Sequence, residues 1–182
     1  MAFAQDARLA QQYFRNGEYE KAAVLYEALY QQNERNDFYF DRYIECLIAL
    51  EDFKNAEKIV KKKLRKEPEN VKLYVTSGKL YERQYLDEAA NEQYREAIKN
   101  LPKDRFAVIK LANSFSSLTK YDLAIETYEK GAQLLRDDQV FAYYLADLYR
   151  RKGDSQKMIE YYLNSLEANP SRLENLQTTF QR

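Results

Sequence analysis

The sequence predicts an all-α chain: a right-handed α-solenoid of antiparallel helix pairs, with one terminal helix after the last pair. Three observations carry this expectation. Only three prolines occur, Pro68, Pro102 and Pro170, at intervals of 34 and 68 residues. The same step of 34 runs through Tyr26, Val60, Tyr94, Tyr128 and Tyr162, and through Tyr13, Leu47, Tyr81, Phe115 and Tyr149. It also joins Ala22, Ala56, Ala90 and Ala124 to Met158. A fixed period of this size marks a repeat array, in which no unit buries a core alone and each leans on its neighbours.

Five repeats fit without insertion: 3–36, 37–70, 71–104, 105–138 and 139–172. Each reads as two amphipathic helices around a tight turn. In repeat one, Leu9, Ala10 and Tyr13 form one stripe, and Ala22, Leu25, Tyr26 and Leu29 form the second. Those are helical spacings facing a core. Between them lies Asn16-Gly17, and Gly153 holds the same place in repeat five; glycine ends a helix in the left-handed conformation at little cost. The prolines stand where the second helix must stop. Asn70, Asp104 and Ser171 follow within two residues and are expected to cap the next helix. Residues 173–182 begin a sixth unit, with Leu173, Leu176 and Phe180 at helical spacing. They read as a partial repeat or a cap. The expectation is an array over 5–182 that continues in a longer protein, with self-association through the C-terminal end.

The pattern resembles the tetratricopeptide repeat (TPR) family over residues 3–172. Numbering each repeat from its first residue, position 8 reads Ala10, Ile44, Gly78, Ala112 and Ala146, and position 20 reads the alanine series above with Met158. These two positions face each other where paired helices come closest, so a bulky residue at both would splay them. Repeats two and five, with Ile44 and Met158, are therefore expected to pair at wider spacing. Position 17 reads Tyr19, Phe53, Asp87, Tyr121 and Ser155, and in repeat three Tyr85-Leu86 precedes it, which predicts a locally different turn. Position 27 reads Leu29, Lys63, Ala97, Gly131 and Ser165.

Composition limits function. With 29 basic and 29 acidic residues, the chain as a whole has no field to draw nucleic acid or an anionic membrane. No apolar run approaches the roughly 18 residues of a transmembrane segment. There is no histidine, which removes the commonest general base, metal ligand and nucleophile partner. The single cysteine, Cys46, reads as a small buried hydrophobe. All four glycines serve the repeat, so none is left for a phosphate loop. No enzyme activity, metal or cofactor is expected. The run Lys61-Lys62-Lys63-Leu64-Arg65-Lys66 reads as a solvated last helical turn. Its alternative is a nucleic-acid or anionic-membrane patch; a further alternative is an interaction module attached to an enzyme domain beyond Arg182. Ala2-Phe3-Ala4-Gln5 has the small-x-small pattern of a signal-peptidase site, so residues 1–4 read as a signal-peptide remnant of an exported or periplasmic protein. A native Ala-rich N-terminus of a cytoplasmic protein is the alternative.

The resemblance implies a non-catalytic protein-interaction scaffold whose first helices line a concave groove for a partner peptide. Positions 2, 5, 6, 9, 12 and 13 of the first helices hold nine basic residues and four acidic ones. The excess predicts an acidic, partly aromatic peptide. Lys79, Arg83, Lys110 and Arg150 would meet its carboxylates, Asn113 its backbone, and Tyr143 or Tyr144 an apolar anchor; Arg42 and Asp147 complete the groove set. The family's carboxylate-clamping subset is not reproduced: Asn113 is at position 9, but position 5 is Ile109 and position 6 of the next repeat is Tyr144.

Overall fold

A computed structural model describes residues 2–173, with side chains from Gln5 onward except that of Arg172. Ten α-helices occur among the described residues: α1 (Ala2–Arg15), α2 (Tyr19–Gln32), α3 (Asp37–Ala49), α4 (Phe53–Lys66), α5 (Val71–Glu82), α6 (Asp87–Lys99), α7 (Arg105–Ser117), α8 (Tyr121–Leu135), α9 (Ala142–Lys152) and α10 (Ser155–Ala168). A 3₁₀ turn, Pro170–Arg172, follows. As expected, α1 pairs with α2, α3 with α4, α7 with α8 and α9 with α10, in an all-α helical-repeat solenoid with no strand among the described residues. Leu176 and Phe180 of the expected terminal helix lie outside the described residues.

The pairs close through small residues. Ala10 and Ala22, Ile44 and Ala56, Ala112 and Ala124 are all buried at positions 8 and 20. Tyr26, Val60, Tyr94, Tyr128 and Tyr162, at position 24, are buried beside them. Leu9 is the exception in repeat one, lying exposed at the edge of its stripe. In repeat two, α3 and α4 make a sparser contact than α1 and α2, in the direction expected of Ile44 at position 8. In repeat five, α9 and α10 are in contact as extensive as that of α1 and α2, with Met158 packed on Ala146 and Tyr162. An unbranched thioether bends into the gap that a stiffer side chain would force open.

All five intrapair turns are the same. Position 15 is left-handed in every repeat: Gly17 (φ 76), Glu51 (φ 58), Tyr85 (φ 60), Thr119 (φ 57) and Gly153 (φ 77). In each, its N–H reaches the carbonyl three residues back, and the next N–H reaches five back: Gly17 to Phe14 and Glu18 to Tyr13, Tyr85 to Glu82 and Leu86 to Tyr81. This is the Schellman closure of a helix end. Repeat three thus has no different turn. The bonds belong to the backbone, so three of five repeats keep them without glycine. The Tyr85 side chain at this turn is 91% exposed.

Caps follow the sequence in part. The Asp104 carboxylate accepts from the Ala107 N–H at 2.7 Å, as expected. Asn169 accepts from both the N–H and the hydroxyl of Ser171, at 3.1 and 2.7 Å, and the helix that Ser171 was expected to cap lies outside the described residues. In repeat four, where no proline stands at position 32, Arg136 stops α8 by turning left-handed (φ 57).

By internal contacts the chain forms two compact bodies. The first takes the chain up to Pro68 together with Thr76–Asn91; the second takes Glu69–Val75 together with the chain from Glu92 on.

Candidate interaction faces

In the first body, the first-helix face gathers around Arg42. Its guanidinium lies over the Phe14 ring at 4.6 Å and the Phe38 ring at 5.3 Å and pairs with Glu45 at 2.6 Å. Stacking between two rings fixes the plane of the guanidinium, which favours directional pairing with a carboxylate. Lys79 and Arg83 also belong to this body, both exposed near the end of α5.

The basic run on α4 is not a solvated turn throughout. Lys63 is buried, its ammonium 3.0 Å from Glu67, 3.4 Å from Asp37 and 3.3 Å from the Glu34 carbonyl. It also lies 5.2 Å from the Phe40 ring centre. Lys61 is held by Glu57 at 2.5 Å and Lys66 by Glu34 at 2.6 Å. Of the run's five cations, Lys62 and Arg65 alone are left without an ion pair among the described residues. That is a thin footprint for a polyanion.

In the second body, α7 presents a stripe of Phe106, Lys110 and Asn113 at i, i+4 and i+7, all exposed. Phe106 is 81% exposed. Sequence reasoning passed over it, counting position 2 for charge only; an aromatic at a surface-facing helical position was the available signal. On α9, Tyr144 stacks on Tyr128 with centroids 5.3 Å apart and stands edge-on to Tyr143 at 6.2 Å. Tyr143 in turn meets Tyr162 at 5.8 Å. Both are half-buried, more a platform than a free anchor. One turn on, Asp147 accepts from Arg150 at 2.5 Å and Arg151 at 2.8 Å. Burial pushes the Asp147 carboxyl up, but the two arginines outweigh it and hold it below the usual carboxylate range. So Arg150 is engaged within the helix, as its i+3 spacing allows.

Cys46 is fully buried, and burial with the nearby Glu45 charge pushes its thiol up to about 12. A thiol so placed stays protonated and inert. No helix among the described residues is long and apolar enough to cross a membrane.

Residues 142–172, almost the whole of repeat five, match the family model described as Tetratricopeptide repeat. That segment is a tetratricopeptide repeat. Arrays of such repeats serve in general as protein-interaction scaffolds. No curated protein matches the chain. Among solved structures, the chain is similar to a MamA protein at 17% identity and TM-score 0.44, covering 94% of each chain. It is similar to MamA from Desulfovibrio magneticus, at 17% identity and TM-score 0.46, covering 94% of this chain and 97% of that one. It is also similar to TTC0263, a thermophilic TPR protein of Thermus thermophilus, at 18% identity and TM-score 0.46, covering 98% of this chain and 97% of that one.

Proposed function

We propose that the second body of this helical-repeat array binds an acidic, partly aromatic peptide across the first-helix faces of α7 and α9. The observation that carries the reading is the α7 stripe: an aromatic ring 81% exposed, followed one turn on by an exposed lysine and then an exposed asparagine. An exposed aromatic beside a cation on a rigid helix is the composition of an interface anchor. Lys110 meets a carboxylate, Asn113 pairs with peptide backbone, and Phe106 packs on an apolar side chain. Tyr143 and Tyr144, set edge-on to each other, give the peptide an aromatic floor. Charge on this face speeds encounter and selects the partner, while the aromatic contacts set how long it stays.

The test uses a fluorescein-labelled peptide of Glu, Asp and Phe, titrated with the full chain and followed by anisotropy. Lys110→Glu lowers the affinity and flattens its salt dependence; Phe106→Ala lowers it mainly through faster dissociation. Unchanged affinity in the double variant, with helicity intact, overturns the reading.

A further inference from the structure

Helix α10 departs from the repeat on the side turned away from its own core. Ile159 is 50% exposed and Leu163 56% exposed, while Leu166 is partly buried against Ala146 and Tyr162. At i, i+4 and i+7, the three form one ridge about 10 Å long. The other repeats measure how unusual this ridge is. Ile159 stands at position 21, where Ala23 and Ile125 are buried in repeats one and four. Leu163 stands at position 25, where the other four repeats carry Glu27, Lys61, Arg95 and Glu129, each charged and exposed. The repeat therefore requires no apolar residue there. Glu160 and Glu167 flank the ridge, both exposed and without an ion pair among the described residues. Lys157, the cation of this helix, is engaged elsewhere, over the Tyr149 ring at 4.9 Å and bonded to its hydroxyl.

We propose that this face of α10 is a second docking surface, and that its occupant is a basic amphipathic helix of a partner protein. The surface offers side chains and no free backbone edge, so an extended peptide would leave its own N–H and C=O groups without partners there. A helix satisfies its own. Its apolar residues lie on Ile159 and Leu163, and its lysines or arginines face Glu160 and Glu167, the pairing that charge complementarity selects. The occupant is opposite in sign to the acidic peptide assigned to α7 and α9, so the two surfaces serve different partners and fail independently.

The probe is a fluorescein-labelled peptide built only of leucine and lysine at amphipathic helical spacing, titrated with the full chain by anisotropy. Leu163→Glu, which installs the residue type of repeats one and four, weakens binding by roughly tenfold or more as the buried leucine contact is lost. Glu160→Lys with Glu167→Lys weakens it and flattens its salt dependence. Both variants keep the helical signal, since Lys58 and Lys99 occupy those same repeat positions. A scrambled peptide of identical composition binds more weakly. Equal affinity of the Leu163→Glu variant, or of the scrambled peptide, overturns the proposal.

Discussion

The ammonium of Lys63 lies 3.0 Å from the Glu67 carboxylate while only 2% of its own side chain is exposed, against 41% of its partner's. A buried cation with a half-exposed partner gains its place through several contacts: Glu67, Asp37, the Glu34 carbonyl and the Phe40 ring. Removing one acceptor is costly, because the charge stays behind. Glu67→Ala is expected to destabilise by about 1.5–3 kcal/mol, the range for a hydrogen bond to a charged group. Lys63→Met, which removes the charge and keeps the volume, is expected to be neutral or stabilising. Urea midpoints for the two variants check both signs.

The same lysine sets a limit at high pH. Burial pushes its ammonium down, but the hydrogen bond and charge of Glu67, then Tyr30 and Asp37, carry it above the usual lysine value. A raised folded value means the contribution is complete below the unfolded lysine value of about 10.4 and is lost as pH climbs through the folded one. The native chain should therefore lose more stability than Lys63→Met above about pH 10.4. Parallel losses in the two proteins would disprove the assignment.

Thr119 holds a left-handed backbone (φ 57) that β-branched residues rarely adopt. A non-glycine residue there costs roughly 1–2 kcal/mol, whereas glycine's extra freedom in the unfolded chain offsets about 0.4–1 kcal/mol. Thr119→Gly should then raise the melting temperature, and Gly17→Ala, which reverses the exchange at the same repeat position, should lower it. The cost to Thr119 is not one of crowding, since Thr119 is exposed and no atom lies within 4 Å of a Cβ placed on Gly17.

Much of this architecture was legible in the residues themselves, because positions 8 and 20 keep at least one small residue in every repeat. Ala10 against Ala22 and Ala112 against Ala124 show it. The turn at Tyr85 was not legible, since its closing bonds run between backbone groups that carry no residue label. Lys63 misled for another reason: hydropathy assigns lysine to water, and its buried place depends on the Glu34 carbonyl, 29 residues away. The proposed site rests, in the sequence, on a charge bias of the first helices. Which cations stay available was not, as pairing within α9 ties Arg150 and Arg151 to Asp147.

Gly131 is where space, rather than conformation, demands glycine. A Cβ there would lie 2.5 and 2.7 Å from the two Val108 methyls and 3.0 Å from the Phe141 ring. Val108 and Phe141 are themselves fully buried and have little room to shift. Overpacking costs about 1–3 kcal/mol, and alanine's better helix propensity returns about 1 kcal/mol at most. Gly131→Ala is expected to be a net loss, and the companion change Val108→Ala should recover part of it in the double variant. Denaturation of the three proteins gives the coupling directly.

Asp147 governs how much positive charge α9 offers a ligand. It accepts from Arg150 and Arg151 at once, and its side chain is 30% exposed. Half-exposed ion pairs contribute on the order of 0–1 kcal/mol, so Asp147→Asn should lower stability little while removing a competing anion. Because the folded carboxyl is held below its ordinary value, its stabilising contribution is present above the unfolded value of about 3.9 and fades as pH falls through the folded one. At neutral pH the substitution frees two guanidinium groups beside the Tyr143–Tyr144 platform. If the acidic peptide binds this face, Asp147→Asn tightens it and steepens its salt dependence, the opposite of Lys110→Glu. Looser binding in Asp147→Asn would mean that the carboxylate orients the arginines for the ligand instead of competing with it, and affinity unchanged in both variants would place the acidic partner off α7 and α9 altogether.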